Sequence, residues 1–265
     1  SGEAQPIVHD GVIYMITGAD DVFALSVETG AILWSYEANL EQNISTICCG
    51  WLSRGVGLGD GRVYIGQLDG RLLALDKETG EILWSVQAER WQDGYVITSA
   101  PLYYDGLIIT GFAGAEYAQR GRVKAYDASS GALVWTFYTV PGPGEFGHDP
   151  WPEDTSAWRY GSGSVWQTPA SDPELGLIYF TTGNAGPDLN GAGRPGDNLF
   201  TSSVVALDAL TGEYRWHYQM VHHDIWDYDM PTPVVLFDRE IDGQMRTGLA
   251  ATGKTGWVYL LDRET

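Results

Sequence analysis

Three groups of side chains in this sequence carry chemistry that a repetitive scaffold does not need. Cys48 and Cys49 are adjacent, in the run ICCGWLSRG. An ordinary disulfide spans Cα atoms ~4.4–6.8 Å apart, whereas neighbours across a trans peptide sit at ~3.8 Å, so a bridge between them would need a distorted peptide. Strained bridges serve function more often than structure; the alternative is two buried free thiols. The second group is oxygen-rich. Glu116 follows GFAGA, Asn184 follows YFTTG, and Asp224, Asp227 and Asp229 crowd into HHDIWDYDMP. A hard cation such as calcium takes about 6–8 oxygen ligands, mostly carboxylates and amide carbonyls. Taken singly, each acid reads as a turn or solvated residue, but their placement just beyond apolar strands points to a shared site. Asp227 and Asp229, two apart on an extended segment, face the same side. The third group is Arg54, Lys254 and Trp166, the last in GSGSVWQTPA, where the surrounding repeat has no tryptophan. A few fixed cations would hold an anionic ligand and an indole face would support a flat one. His222 and His223 lack the spacing of a zinc site and read as surface or core histidines.

The elements that must position these residues repeat. DDVFALSVETGAILWSY, starting at Asp20, returns as GRLLALDKETGEILWSV, GRVKAYDASSGALVWTF and SSVVALDALTGEYRWHY, and begins again as GWVYLLDRET. The tryptophans of the four full copies are Trp34, Trp84, Trp135 and Trp216, spaced by 50, 51 and 81 residues. The unit is therefore about fifty residues, and one copy carries roughly thirty more, which we place between about Val140 and Gly161. Each unit reads as strand, Asp-Gly-type turn, strand, short turn, alternating strand, Thr-Gly or Ser-Gly turn, and a strand starting near the tryptophan. That is a four-stranded antiparallel sheet per repeat, unable to cover its own faces. Radial stacking of such sheets gives an all-β protein, a β-propeller of four-stranded blades, with about four to five blades in residues 1–265 and little helix. The repeat tryptophans are expected to pack between blades. Because the repeats begin and end part-way through a unit, residues 1–265 are expected to be one partial propeller domain of a longer chain.

Composition narrows the partners. With 35 acidic against 15 basic side chains, the net charge of −20 repels phosphate backbones and anionic headgroups, which argues against nucleic-acid and basic-patch membrane binding. The 34 glycines supply turns, and 11 tryptophans and 15 tyrosines are too many for disorder. No apolar run reaches the ~18 residues of a membrane span, and no charged-then-apolar leader opens the sequence.

With these residues in view, the chain resembles the quinoprotein alcohol dehydrogenases, eight-bladed propellers that carry pyrroloquinoline quinone (PQQ) and a calcium or lanthanide ion. The resemblance runs over essentially all of the sequence and covers roughly the first half of such a propeller. It implies that Cys48 and Cys49 form the family's vicinal disulfide beside the quinone. Arg54 falls on the arginine that binds a quinone carboxylate, and Glu3 in GEAQP on a further contact. Thr98 in ITSAP, with Gly114 and Ala115, lines the cofactor, and Trp166 forms the floor under its ring. Glu116, Asn184, Asp227 and, in the lanthanide enzymes, Asp229 match metal ligands. Asp227 matches the catalytic base and Lys254 the cation that touches the reactive quinone carbonyls. Two positions depart from the pattern: Ser53 stands where asparagine is usual and Ala113 where serine is usual.

The mechanism implied is hydride transfer from an alcohol to the quinone carbon polarised by the metal, with Asp227 taking the hydroxyl proton. Electrons would then leave to a cytochrome c, which fits an acidic face, an oxidised cysteine pair and a periplasmic or otherwise exported site. The small alcohol itself is set by pocket shape, and a homodimer is left open. The run HHDIWDYDMPTP is also similar to the membrane-bound sugar dehydrogenases of the same superfamily, which lack the cysteine pair. A non-enzymatic propeller scaffold of outer-membrane assembly would fit the repeats alone, but has no need of Cys48, Cys49, Glu116, Asn184, Asp227 and Lys254 together.

Overall fold

In the computed structural model, which describes residues 3–152 and 155–265, the repeats form five consecutive antiparallel meanders. The first is β1 (Ile7–His9), β2 (Val12–Ile16), β3 (Val22–Ser26) and β4 (Ile32–Tyr36). The second is β5 (Gly57–Gly59), β6 (Arg62–Gly66), β7 (Arg71–Asp76) and β8 (Ile82–Gln87). The third is β9 (Leu102–Tyr104), β10 (Leu107–Gly111), β11 (Arg122–Asp127) and β12 (Leu133–Tyr138). The fourth is β13 (Ala170–Asp172), β14 (Leu177–Thr181), β15 (Ser203–Asp208) and β16 (Tyr214–Gln219). The fifth has three strands, β17 (Val235–Ile241), β18 (Gln244–Thr252) and β19 (Val258–Asp262). The helices among the described residues are three short 3-10 turns, at Trp91–Asp93, Ala115–Tyr117 and Ala157–Tyr160. None is long and apolar enough to cross a membrane.

The sheets stack face to face in chain order, as expected of blades. Ile16, Val22 and Ala24 of the first meet Val63, Ile65 and Leu73 of the second, and equivalent apolar clusters fill each following gap. The first strands run closest together. A Cβ at Gly57 would lie 2.2 Å from Pro101 O, and one at Gly59 2.2 Å from the Tyr103 ring, so only glycine lets β5 and β9 approach. At the periphery the fourth strands spread apart and expose Ile32, Leu33, Ile82 and Leu83.

Each repeat tryptophan bridges to the next blade. Trp34, Trp84 and Trp216 donate from Nε1 to the carbonyls of Lys77 (3.0 Å), Ala128 (3.0 Å) and Arg263 (3.3 Å). The glycine of the following blade's last turn sits beneath the indole: Gly80 under Trp34, Gly131 under Trp84 and Gly212 under Trp135. These glycines have φ of +74°, +72° and +72°, so the turn conformation and the close approach both require the missing side chain. The aspartate opening that turn accepts local hydrogen bonds; Asp76 Oδ1 takes the N–H groups of Glu78 and Thr79, both at 2.9 Å.

The extra length of the fourth repeat is not confined to the stretch near Val140–Gly161. It is divided between the 139–169 connection into β13 and the 182–202 connection between β14 and β15. Tryptophan spacing sums the two loops and cannot separate them. The second loop matters most for the site, because it carries Asn184.

Candidate active site

The connections at one end of the stack enclose a cavity of about 340 Å3, within the usual range for a small-molecule site. Every residue that the resemblance assigns to the cofactor or the metal lines it except Asn184, which lies directly behind Asp229; Asp224, His222 and His223 do not line it. Ile47, Leu52, Val96 and Ser164 also line it and carried no sequence signal. A larger cavity of about 620 Å3 shares Glu3 and Arg54 but is otherwise walled by first-strand residues such as Gly57, Pro101 and Ala170, which bring no acid–base chemistry.

The anion-binding side is built around Arg54. Its backbone N–H donates to Thr98 O at 3.0 Å, which ties the segment before β5 to the segment before β9. The guanidinium lies 4.7 Å above the Trp166 ring, reaches Trp166 O at 3.4 Å and pairs with Glu3 Oε2 at 2.8 Å. Burial lowers the Arg54 pKa, an effect Glu3 opposes. The buried Thr98 hydroxyl donates to Trp166 O at 3.5 Å. Cys48 and Cys49 are joined in a disulfide at the exposed rim, and no free cysteine remains among the described residues. The disulfide, Trp166 and the cations thus face one space suited to a flat polyanion.

The oxygen-rich side gathers residues from three blades. Asp227 and Asp229 do converge, with Lys254 Nζ 2.8 Å from Asp227 Oδ2 and 2.9 Å from Asp229 Oδ2, but not by alternation along an extended segment, because Asp227 has a φ of +63°. Asp229 does not cap its own turn. Its Oδ1 accepts the Asn184 backbone N–H at 2.8 Å, while Asp224 caps the turn by accepting from Trp226 N (2.9 Å) and Tyr228 N (2.7 Å). Asp224 is therefore structural. Gly183 admits this arrangement, since a Cβ there would lie 2.8 Å from both Asp229 Oδ1 and Ser164 Oγ. Burial pushes the Asp229 carboxyl up, against the hydrogen bonds from Lys254 and Asn184. Glu116 is also raised, by desolvation first and then by the negative charges of Asp188, Asp229 and Asp227. Lys254 sits above its ordinary value because the two carboxylates outweigh the effect of burial.

These donors are all hard oxygens, the set that suits calcium or a lanthanide. Among the described residues, no three His, Cys, Asp or Glu side chains stand close enough to hold a metal unaided. The Lys254 ammonium lies at the point on which Asp227 and Asp229 converge. The two histidines are spoken for elsewhere: His223 Nδ1 is 2.8 Å from Gly196 O, and the exposed His222 faces Asp197.

Comparison with known proteins identifies the family. The family described as "PQQ: Glucose/ethanol/alcohol dehydrogenase, beta-propeller domain" matches residues 1–265. The quinohemoprotein alcohol dehydrogenase ADH IIB of Pseudomonas putida is 41% identical over 98% of this chain and 40% of its own length. The solved structure of the quinohemoprotein alcohol dehydrogenase ADHIIG from Pseudomonas putida HK5 superposes with a TM-score of 0.95, at 40% identity, over 100% of this chain and 41% of that one. A europium-containing methanol dehydrogenase superposes with a TM-score of 0.93, at 32% identity, over 100% of this chain and 50% of that one. The chain thus spans about 40% of the length of the curated relatives it matches. With the family matched along the whole sequence and relatives at about 40% identity over nearly all of it, the chain belongs to the PQQ-dependent glucose/ethanol/alcohol dehydrogenase β-propeller family.

Proposed function

We propose that this chain supplies the quinone and metal site of an enzyme that oxidises small alcohols, with electrons passed on to a cytochrome c in the periplasm or another exported location. The observation that carries the reading is the convergence of Cys48, Cys49, Arg54, Trp166, Asp227 and Lys254 on one cavity from separate blades. Alcohols are favoured over sugars because the similar proteins named above are alcohol and methanol dehydrogenases.

When bound, PQQ with its cation supplies the electrophilic carbonyl that accepts a hydride. The residues present divide the remaining work. Arg54, oriented by its pair with Glu3, holds a carboxylate edge, Trp166 and the disulfide bound a ring, and Thr98 adds a hydroxyl. Glu116, Asn184, Asp227 and Asp229 supply oxygens to the cation. Asp227 Oδ2 accepts the proton of the alcohol, and Lys254 Nζ, 2.8 Å away, stabilises developing negative charge. A trivalent lanthanide is the preferred ion on charge grounds, because Asp229 adds a carboxylate beside Asp227 and Glu116. The exposed disulfide fits an oxidising compartment.

Reconstitution of the full-length protein with PQQ and either lanthanum or calcium, followed by dye reduction with primary alcohols and with glucose, tests the reading. Turnover with alcohols, lost in Asp227→Ala, is expected. Turnover with glucose alone, or none with either metal, would overturn it.

A further inference from the structure

The loop that carries Asn184 contains a carboxylate that neither the repeat nor the sequence motifs single out. Asp188 is half-buried, and its Oδ1 accepts a hydrogen bond from Asn184 Nδ2 at 2.6 Å. Because the acceptor is a carboxylate, the bond is charge-assisted. The same Nδ2 donates to Ala185 O at 3.3 Å. Both partners are acceptors only, so the network permits one orientation of the amide, with nitrogen toward Asp188 and Oδ1 turned the other way. Among the described residues no donor is bonded to Asn184 Oδ1. The backbone N–H of Asn184 is meanwhile fixed on Asp229 Oδ1 at 2.8 Å.

A buried arginine holds this loop against the one that bears Asp227 and Asp229. Arg194 is fully buried; its Nη2 donates to Pro187 O at 2.9 Å and to Asp224 O at 2.5 Å, and its Nη1 to Asn198 Oδ1 at 2.8 Å. One guanidinium therefore ties the residue before Asp188 to the turn that leads into Asp227. Its positive charge also favours an ionised Asp188, against the burial and the nearby Asp227 and Asp224 charges that raise that carboxyl.

We propose that Asp188 is a positioning residue: by accepting from Asn184 Nδ2 it locks the amide so that Oδ1 is presented to the cation held with Glu116, Asp227 and Asp229. The inference rests on the metal site described under Proposed function. A free Asn amide flips between two orientations, one of which would offer an NH2 group to the cation and bind nothing. Fixing the ligand in advance removes that penalty, as outer partners do in other metal sites.

Calorimetric titration of the PQQ-loaded full-length apoprotein with La3+ tests this without recourse to turnover. Asp188→Ala is expected to weaken La3+ binding by about 10–100-fold, the usual cost of losing an outer partner. Asp188→Ser, too short to reach Asn184 from the same backbone, should match it, and Asp188→Asn, whose amide oxygen can still accept, should recover most of the affinity. In an Asn184→Ala background, Asp188→Ala should cost nothing further. Unchanged La3+ affinity in both Asp188→Ala and Asp188→Ser would overturn the proposal. So would equal losses in Asp188→Asn and Asp188→Ala, which would mean that the charge of Asp188 acts on the ion directly. Absence of La3+ and Ca2+ binding by the wild-type protein would instead overturn the metal site itself, and this inference with it.

Discussion

Lys254 Nζ stands 2.8 Å from Asp227 Oδ2, with Asp229 Oδ2 2.9 Å from the same nitrogen. One ammonium thus occupies the focus of two carboxylates that we assign to a metal and to a proton. Replacing Lys254 with Met removes a competitor for the cation and a donor for the reaction. La3+ binding by the PQQ-loaded protein should tighten several-fold by calorimetry, while alcohol turnover should fall about 10²-fold or more, as when one charge-stabilising donor is lost. Weaker La3+ binding in Lys254→Met would show that the lysine assembles the carboxylates instead of competing for them.

Asp229 has two jobs that two substitutions separate. Asp229→Asn keeps an acceptor for the Asn184 N–H and removes the charge, so it should fold normally while the preference for lanthanum over calcium drops at least tenfold. Asp229→Ala in addition leaves a buried N–H unpaired, at a cost of about 1–3 kcal/mol, and its Tm should fall below that of Asp229→Asn. Selectivity from paired reconstitutions and Tm from calorimetry check the two effects. An unaltered metal preference in Asp229→Asn would remove Asp229 from the ligand set.

The blades were legible in the sequence because one physical unit recurs: alternating apolar strands, an Asp-led turn closed by glycine, and a tryptophan that reaches the next blade. From residue type alone the candidate site was legible where the recurrence breaks, at Cys48, Glu116, Trp166 and Asp227; Glu3, Thr98, Gly114 and Ala115 were legible through the family resemblance. Ser164 and Val96 enter the cavity through backbone placement alone, and a serine or valine in a repeat announces nothing. Asp188 and Arg194 act through the fold of the 182–202 loop, whose length is hidden inside the tryptophan spacing. The division of labour between Asp224 and Asp229 likewise depends on a contact with Asn184, forty-five positions away in sequence.

Glycine under the indole can be tested at Gly131. A Cβ there would lie 2.8 Å from Trp84 Cε3 and 2.9 Å from Val86 Cγ1, whereas one at Gly106 would meet nothing within 4 Å. Both residues have positive φ, +72° and +83°, so alanine at either site pays a conformational cost of about 1–2 kcal/mol. Gly131→Ala must also displace a packed tryptophan, about 1–3 kcal/mol more. Its Tm should therefore drop further than that of Gly106→Ala, and the excess should shrink in a Trp84→Ala background, leaving the part due to Val86. Equal losses at the two glycines would mean that backbone conformation alone governs both turns.

Asp20 supplies the last test, through pH. It is fully buried; its Oδ2 accepts the Leu68 N–H at 2.7 Å, and its Oδ1 has no partner. Burial pushes this carboxyl well above the usual range, with the charges of Asp69 and Asp21 adding to the effect. The folded state then keeps a proton that the unfolded chain has released, so the contribution of Asp20 to stability falls as pH rises from about 4, the ordinary carboxyl value, through the elevated folded value. Asp20→Asn stays neutral in both states, still accepts from Leu68, and tolerates the φ of +64° found here. The variant should match wild type near pH 4 and exceed it at pH 8, by roughly 2–4 °C in Tm for each kcal/mol regained. A difference in Tm that is the same at both pH values would show that Asp20 does not change protonation on folding.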